Sequence, residues 1–173
     1  MKNFIRFLCA ALCLCLLPVL GLAAEGMTAY EVSGIPYYVP QGWSEPLVQD
    51  IYTYYYRTPG VPMDGFLMVM EITGGGDYAI PTTEEEIKAA MDSTIEGLVG
   101  ELGASFSSEP MEIEGRQGVY FYGVVNILET DFGMAGYATV TDTAVVAIVL
   151  LSTDTDEAVI RPQLYESLGI EAQ

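Results

Sequence analysis

The sequence predicts an α+β domain in which a central, mainly antiparallel sheet is covered on both faces, and three observations carry that prediction. Segments at 109–114, 118–128, 133–140 and 144–151 read as strands separated by connections of hairpin length, the pattern of an antiparallel meander. Residues 144–151 are apolar without interruption, as expected of a strand covered on two sides. One long segment after Pro81 has helical rather than strand periodicity and supplies a covering layer.

Residues 1–23 stand apart from this domain. Lys2 and Arg6 form a short positive start, residues 8–20 a mostly apolar run, and Gly21-Leu22-Ala23 a small-x-small cleavage site, the three parts of a secretory signal peptide. The apolar run is short for a bilayer span of about 20 residues, which makes an uncleaved anchor the weaker reading. Cys9, Cys13 and Cys15 lie inside the run after leucines, so none is placed for acylation. Cleavage after Ala23 removes all three cysteines and leaves 150 of the 173 residues. Residues 24–173 are therefore expected to be a single secreted, extracellular domain, monomeric and without stable membrane insertion, which can bury about two thirds of its surface.

Along that domain, residues 30–32 and 35–39 flank Ser33-Gly34, a turn pair that joins short antiparallel strands. Pro40-Gln41-Gly42-Trp43 ends the second strand. In residues 51–56, period-2 spacing places Tyr52, Tyr54 and Tyr56 on one face and Ile51, Thr53 and Tyr55 on the other. Residues 57–62 break the strand, 66–72 read as an inner strand, and Gly74-Gly75-Gly76-Asp77 as a flexible loop. Thr83 and Glu86 fit a capping box at the start of a helix, whose apolar stripe runs through Ile87, Met91, Ile95, Leu98 and Leu102 to a stop at Gly103. Its acidic first turn, Glu84-Glu85-Glu86, suits the positive end of the helix dipole. In the meander that follows, residues 115–117, 129–131 and 141–143 are the expected connections. A second helix starts at Asp154 or Thr155 and runs to Ser167, with Pro162 expected to kink or restart it.

Three stretches of this pattern resemble a known family. Residues 34–43, a strand closed by Pro40-x-Gly42-Trp43, together with the Gly115-x-x-Gly118 turn and the closing segment 164–170, resemble the PsbP-like superfamily, named for the extrinsic subunit P of photosystem II. The resemblance spans nearly the whole of residues 24–173. It implies an α-β-α sandwich, a sheet between helices. It also implies a role in binding, since that superfamily includes photosystem subunits, a Ran-binding nuclear transport factor and many secreted bacterial proteins of unknown role, and has no shared catalytic motif to carry over.

Charge excludes several function classes. Without residues 1–23 there remain four basic residues, Arg57, Lys88, Arg116 and Arg161, against 24 acidic ones, a net charge of −20. A nucleic-acid partner is not expected, because phosphate binding needs a basic patch and these four cations are scattered. With no histidine, no side chain has an unperturbed pKa between about 5 and 8, so a histidine pH switch is excluded. The acid is read as a solvated, non-sticking surface suited to life outside the cell.

The same composition narrows the chemistry. Zinc sites and acyl transfer draw on Cys and His, absent after residue 23. Residues 103–107 approach a nucleophile elbow at Ser105 but follow a helix and lack its last glycine. Carboxylate chemistry is the one catalytic class that composition permits, so a carboxylate-dependent extracellular hydrolase is the alternative to a non-catalytic binding protein. Asp142, Glu112 and Glu114 read as a hairpin tip and a solvated strand face. The cluster Asp154-Thr155-Asp156-Glu157 suits a helix start as well as it suits calcium. No catalytic residue, metal ligand or cofactor is therefore assigned.

The aromatic residues point to binding. Tyr37, Tyr38, Tyr52, Tyr54, Tyr55 and Tyr56 fall close together with Trp43, the only tryptophan. Tyr and Trp combine a large contact area with a polar handle, which suits protein and carbohydrate partners alike. Three consecutive tyrosines cannot all point inward. Trp43, Tyr52, Tyr54 and Tyr56 are accordingly the expected binding residues, for a protein or carbohydrate partner whose identity the sequence leaves open.

Overall fold

A computed structural model describes residues 26–75, 79–100 and 106–170. The expected leader at 1–23, the far half of the Gly74–Asp77 loop, the side chain of Leu98, and Leu102, Gly103 and Ser105 lie outside the described residues. The described chain runs β1 (Met27–Val32), β2 (Ile35–Pro40), β3 (Leu47–Gln49), β4 (Tyr52–Thr58), β5 (Val61–Thr73), α1 (Glu84–Gly100), β6 (Phe106–Ile113), β7 (Arg116–Ile127), β8 (Thr130–Val140), β9 (Ala144–Ser152) and α2 (Glu157–Ser167). It is an α+β fold. Seven strands form one sheet in the order β3-β4-β5-β9-β8-β7-β6, and β1 and β2 form a separate hairpin.

Every strand pairing is antiparallel, and most follow from local turn chemistry. Ser33 and Gly34 have φ of 45° and 76°, Glu114 and Gly115 of 52° and 80°, and Leu128 and Glu129 of 51° and 66°. Two left-handed residues in succession make the two-residue turn whose twist matches that of the flanking strands. Those turns are tighter than the spacing predicts: Arg116, Gln117, Thr130 and Asp131 belong to the strands, paired with Ile113, Glu112, Ile127 and Asn126. Pro59-Gly60 likewise occupies only the tip of a hairpin, so Arg57, Thr58, Val61 and Pro62 lie in strands, although the register shifts between Tyr56 and Thr58.

Two further corrections concern the first edge of the large sheet. Strand β3 has too few residues to show an alternation, and the sequence pattern misses it. Its partner register, Gln49 to Tyr52, places Ile51 in the turn rather than on a strand face. At the opposite edge β6 begins at Phe106, three residues before the expected 109. Pro110 is tolerated there because β6 is the outermost strand and loses no ladder bond on its free side.

The capping box at the start of α1 forms as the sequence predicts. Thr83 Oγ1 accepts from the Glu86 backbone N–H at 3.3 Å, while Glu86 Oε2 accepts from the Thr82 and Thr83 N–H groups at 3.1 Å each. These donors hold the Glu86 carboxyl below its ordinary pKa, the Thr82 N–H contributing most. Helix α2 starts later than expected, with Asp156 as its cap accepting from the Ala158 N–H at 2.9 Å. It then runs unbroken through Pro162, which was expected to kink or restart it. The proline removes one backbone bond, and the burial of Ile160, Leu164 and Leu168 holds the helix across the gap. Gly169 and Ile170 close the end by donating to the carbonyls of Glu166 and Tyr165, with Gly169 at φ 70°.

The core divides between two clusters, and β9 contributes to both. Ala144, Val146, Ile148 and Leu150 pack with Val39, Tyr55 and Tyr137, with the β1–β2 hairpin and with Ile160 and Leu164 of α2. Ala147, Val149 and Leu151 pack with Phe121, Phe132 and Met134 and with Met91 and Ile95 of α1. Two glycines let aromatic rings lie flat on the strands beside them. A Cβ on Gly118 would stand 2.3 Å from the Tyr137 ring, and one on Gly136 would stand 2.2 Å from the Phe121 ring.

Candidate functional site

The tyrosine strand β4 divides its side chains as its period-2 pattern predicts. Tyr52 and Tyr54 pack against the cluster that contains α1. Tyr55 points to the other side, is 1% exposed and shares a 2.7 Å hydrogen bond between its hydroxyl and that of Tyr37. Burial pushes both phenols above their ordinary pKa.

Tyr52, Tyr54 and Tyr56 form a half-buried row. The ring centroids of Tyr52 and Tyr54 are 6.0 Å apart, and those of Tyr54 and Tyr56 are 6.2 Å apart with planes only 4° from parallel. Phe66 of β5 meets Tyr54 and Tyr56 edge-on at 5.6 and 6.1 Å. On the free side of the row Leu47 of β3 pairs with Tyr54 and stays 42% exposed. Burial, helped by its two tyrosine neighbours, raises the Tyr54 phenol above its ordinary pKa.

The row is only half covered because α1 packs chiefly against β7, β8 and β9. Between the helix and the tyrosine strand lies a groove of about 620 Å³, walled by Tyr52, Met70 and Ile72 on the sheet and by Ala89, Ser93 and Gly97 on the helix. The three helix residues are spaced by four, so they fall on one stripe. Their small side chains keep that wall set back. The stripe is visible in the sequence, although its apolar neighbours Met91 and Ile95 draw attention first. Leu47 has no such signal.

Trp43 lies elsewhere. It packs, half-buried, against the cluster containing Tyr55 and α2, with the Arg57 guanidinium 5.7 Å from its ring centroid. Trp43 therefore does not share a face with the other three expected binding residues: the sheet stands between Trp43 and the row. A chain that passes from the hairpin into β3 and β4 crosses from one side of the sheet to the other, which proximity in sequence does not show.

Several acidic residues serve structural tasks. Arg161 gathers two of them, with Nη1 2.7 Å from Glu109 Oε1 and Nη2 2.6 Å from Glu157 Oε1. Its guanidinium sits 4.1 Å from the Tyr120 ring centroid, and Tyr120 donates to Glu157 at 3.0 Å. Burial works against the Arg161 charge, but the bonds to Glu157 and Tyr120 outweigh it and hold the proton more tightly. Asp154 Oδ1 accepts from the Asp156 N–H at 2.9 Å, so that cluster caps α2. Asp142 sits on a turn whose backbone N–H groups at 143 and 144 donate to Thr141 Oγ1. Among the described residues no group of three or more Asp or Glu is arranged to hold a metal ion, and no helix is long and apolar enough to cross a membrane.

Comparison of this geometry with solved structures identifies the fold. The solution structure of cyanobacterial PsbP from Synechocystis superposes with a TM-score of 0.60 over 85% of this chain and 92% of its own, at 11% identity. The fold is PsbP-like. A crystal structure from Bacteroides thetaiotaomicron is also similar, with a TM-score of 0.54 and 14% identity over 86% of this chain and 49% of its own. No family model matches the sequence, and no curated protein does. The PsbP-like likeness thus resides in three-dimensional arrangement.

Proposed function

We propose that this chain is an exported, acidic, non-catalytic binding protein with the layering of an α-β-α sandwich. The alternation of β9 between two clusters, one holding α1 and the other α2, supports that layering. The half-covered row Tyr52-Tyr54-Tyr56 beside a groove is the observation that carries the binding reading. Half-buried tyrosines combine an apolar ring with a hydroxyl, which is the chemistry of a contact surface for a protein or a carbohydrate. Export rests on residues 1–23 and agrees with a net charge of −20 on the remainder. The alternative, a carboxylate-dependent hydrolase, needs two acids converging in a cleft with a proton to share. Glu109 and Glu157 do converge, but on Arg161, which forms an ion pair with each and stands between them.

Pull-down from the native culture medium, with residues 24–173 as bait, tests this reading when run beside a Tyr54→Ala variant. Removing a central tyrosine of a contact surface costs about 2 kcal/mol or more, roughly thirtyfold in affinity. A partner captured by the parent and lost by the variant is the expected result. Hydrolytic turnover without any captured partner would refute it.

A further inference from the structure

The geometry points to a second binding site, for a small zwitterion of the α-amino acid type, in the cavity between Trp43, Arg57 and α2. It is independent of the tyrosine row, since it opens beside the other core cluster. The cavity measures about 340 Å³ and is lined by Pro40, Trp43, Arg57, Gln163, Glu166 and Ser167, with Leu150 at its floor. That is the lower end of the range of about 300–1,000 Å³ typical of small-molecule pockets.

Its polar groups are incompletely matched to one another. Arg57 makes no ion pair among the described residues, in a chain with 24 carboxylates. Its Nη2 donates to Gln163 Oε1 at 3.2 Å and its plane lies over Trp43. A guanidinium has five N–H donors in a fixed fork, and its best complement is a carboxylate held through two of them. Glu166 lines the same cavity, yet its carboxylate is not within the 4.0 Å of Arg57 that an ion pair requires. Ser167 is 3% exposed and also lines the cavity. One cation and one anion thus line a shared space without closing on each other.

A ligand with a carboxylate and an ammonium on one carbon completes both. Its carboxylate takes the Arg57 fork, its ammonium takes Glu166, and an apolar side chain rests on Trp43, Pro40 and Leu150. The ligand carries no net charge, so the strongly negative protein does not repel it, as it would a simple anion. A cationic ligand leaves Arg57 unmatched, and a neutral sugar leaves both charges unmatched.

Because Trp43 is the only tryptophan of the chain, its emission reports this cavity alone. Residues 24–173 are titrated with free L-leucine and L-phenylalanine, and then with N-acetyl-L-leucine and L-leucinamide, each lacking one of the two charges. The expected result is a saturable change in emission for the free amino acids and affinities about tenfold weaker for both derivatives. Glu166→Gln, an exposed change that leaves the fold intact by circular dichroism, weakens free L-leucine about tenfold and leaves N-acetyl-L-leucine unaffected. Arg57→Lys keeps the charge but loses the fork, and weakens both. The proposal is overturned by the absence of any saturable response at tens of millimolar amino acid, by derivatives that bind as tightly as the parent, or by a Glu166→Gln variant that binds like the parent. A saturable response to glucose alone likewise overturns it.

Discussion

The hydroxyls of Tyr37 and Tyr55 stand 2.7 Å apart in residues only 4% and 1% exposed, and that geometry predicts strongly non-additive mutations. Tyr55→Phe leaves the Tyr37 hydroxyl buried without its partner, and Tyr37→Phe does the reverse. Each strands a polar group away from water, at a cost of about 1–3 kcal/mol. Removing both hydroxyls strands neither, so the double variant Tyr37→Phe/Tyr55→Phe is expected to lose less than the sum of the two, with a coupling of about 1 kcal/mol. Set against a domain stability of about 5–15 kcal/mol, such shifts are readily measured by urea unfolding at neutral pH with an unchanged m value. Alkaline titration gives an independent check. Burial raises both phenols above the ordinary 10.0, so the folded state holds their protons more tightly than the unfolded chain. The stability from this pair is therefore complete below pH 10 and is lost as pH rises above it. The double variant should flatten that alkaline limb, leaving the part that Tyr54, Tyr120, Tyr122 and Tyr137 contribute through their own burial. Additive single-mutant costs together with an unaltered alkaline limb would refute the reasoning.

Other positions give equally direct tests. The lowered Glu86 carboxyl stabilises the start of α1 above its unfolded pKa near 4.5, and this is lost as pH falls through the folded value. Glu86→Gln should therefore make α1 less sensitive to acid, read as helical ellipticity between neutral pH and the acid limb. Leu128 is a leucine at φ 51°, 82% exposed at a hairpin tip, so Leu128→Asn should raise stability by about 1 kcal/mol in urea unfolding. Gly136→Ala drives a methyl into the Phe121 ring and should cost about 1–3 kcal/mol by the same measurement; a neutral outcome would mean the ring can step aside.

Much of the fold is legible along the chain because its elements are closed by local interactions. Ser33-Gly34 and Gly115 mark their turns by composition, and the residues on either side alternate cleanly. Thr83 and Glu86 announce the helix start three residues apart, and their bonds form within a single turn. The misses have different causes. Leu47–Gln49 is too short to carry a pattern, and Pro162 reads as a breaker although its helix is held by packing from outside.

The candidate site was legible in part for the same reason. Period 2 separates Tyr55 from Tyr52, Tyr54 and Tyr56 without any knowledge of the fold. It does not say which side receives a complete cover. That depends on where α1 settles, over β7, β8 and β9 and short of β4. Trp43 shows the limit most clearly: it is nine residues before Tyr52, and the chain between them carries it to the other side of the sheet.

The sequence by itself determined the antiparallel meander, the capping box, the split of the tyrosines and the negative charge, because each depends on neighbouring residues or on composition. Only the tertiary structure decided that a row of tyrosines is half open, that Gly118 and Gly136 lie under aromatic rings, and that Trp43, Arg57 and Glu166 share a cavity. Those outcomes depend on contacts between elements far apart in the chain, where many packings satisfy the same local pattern and close packing of the whole core selects one.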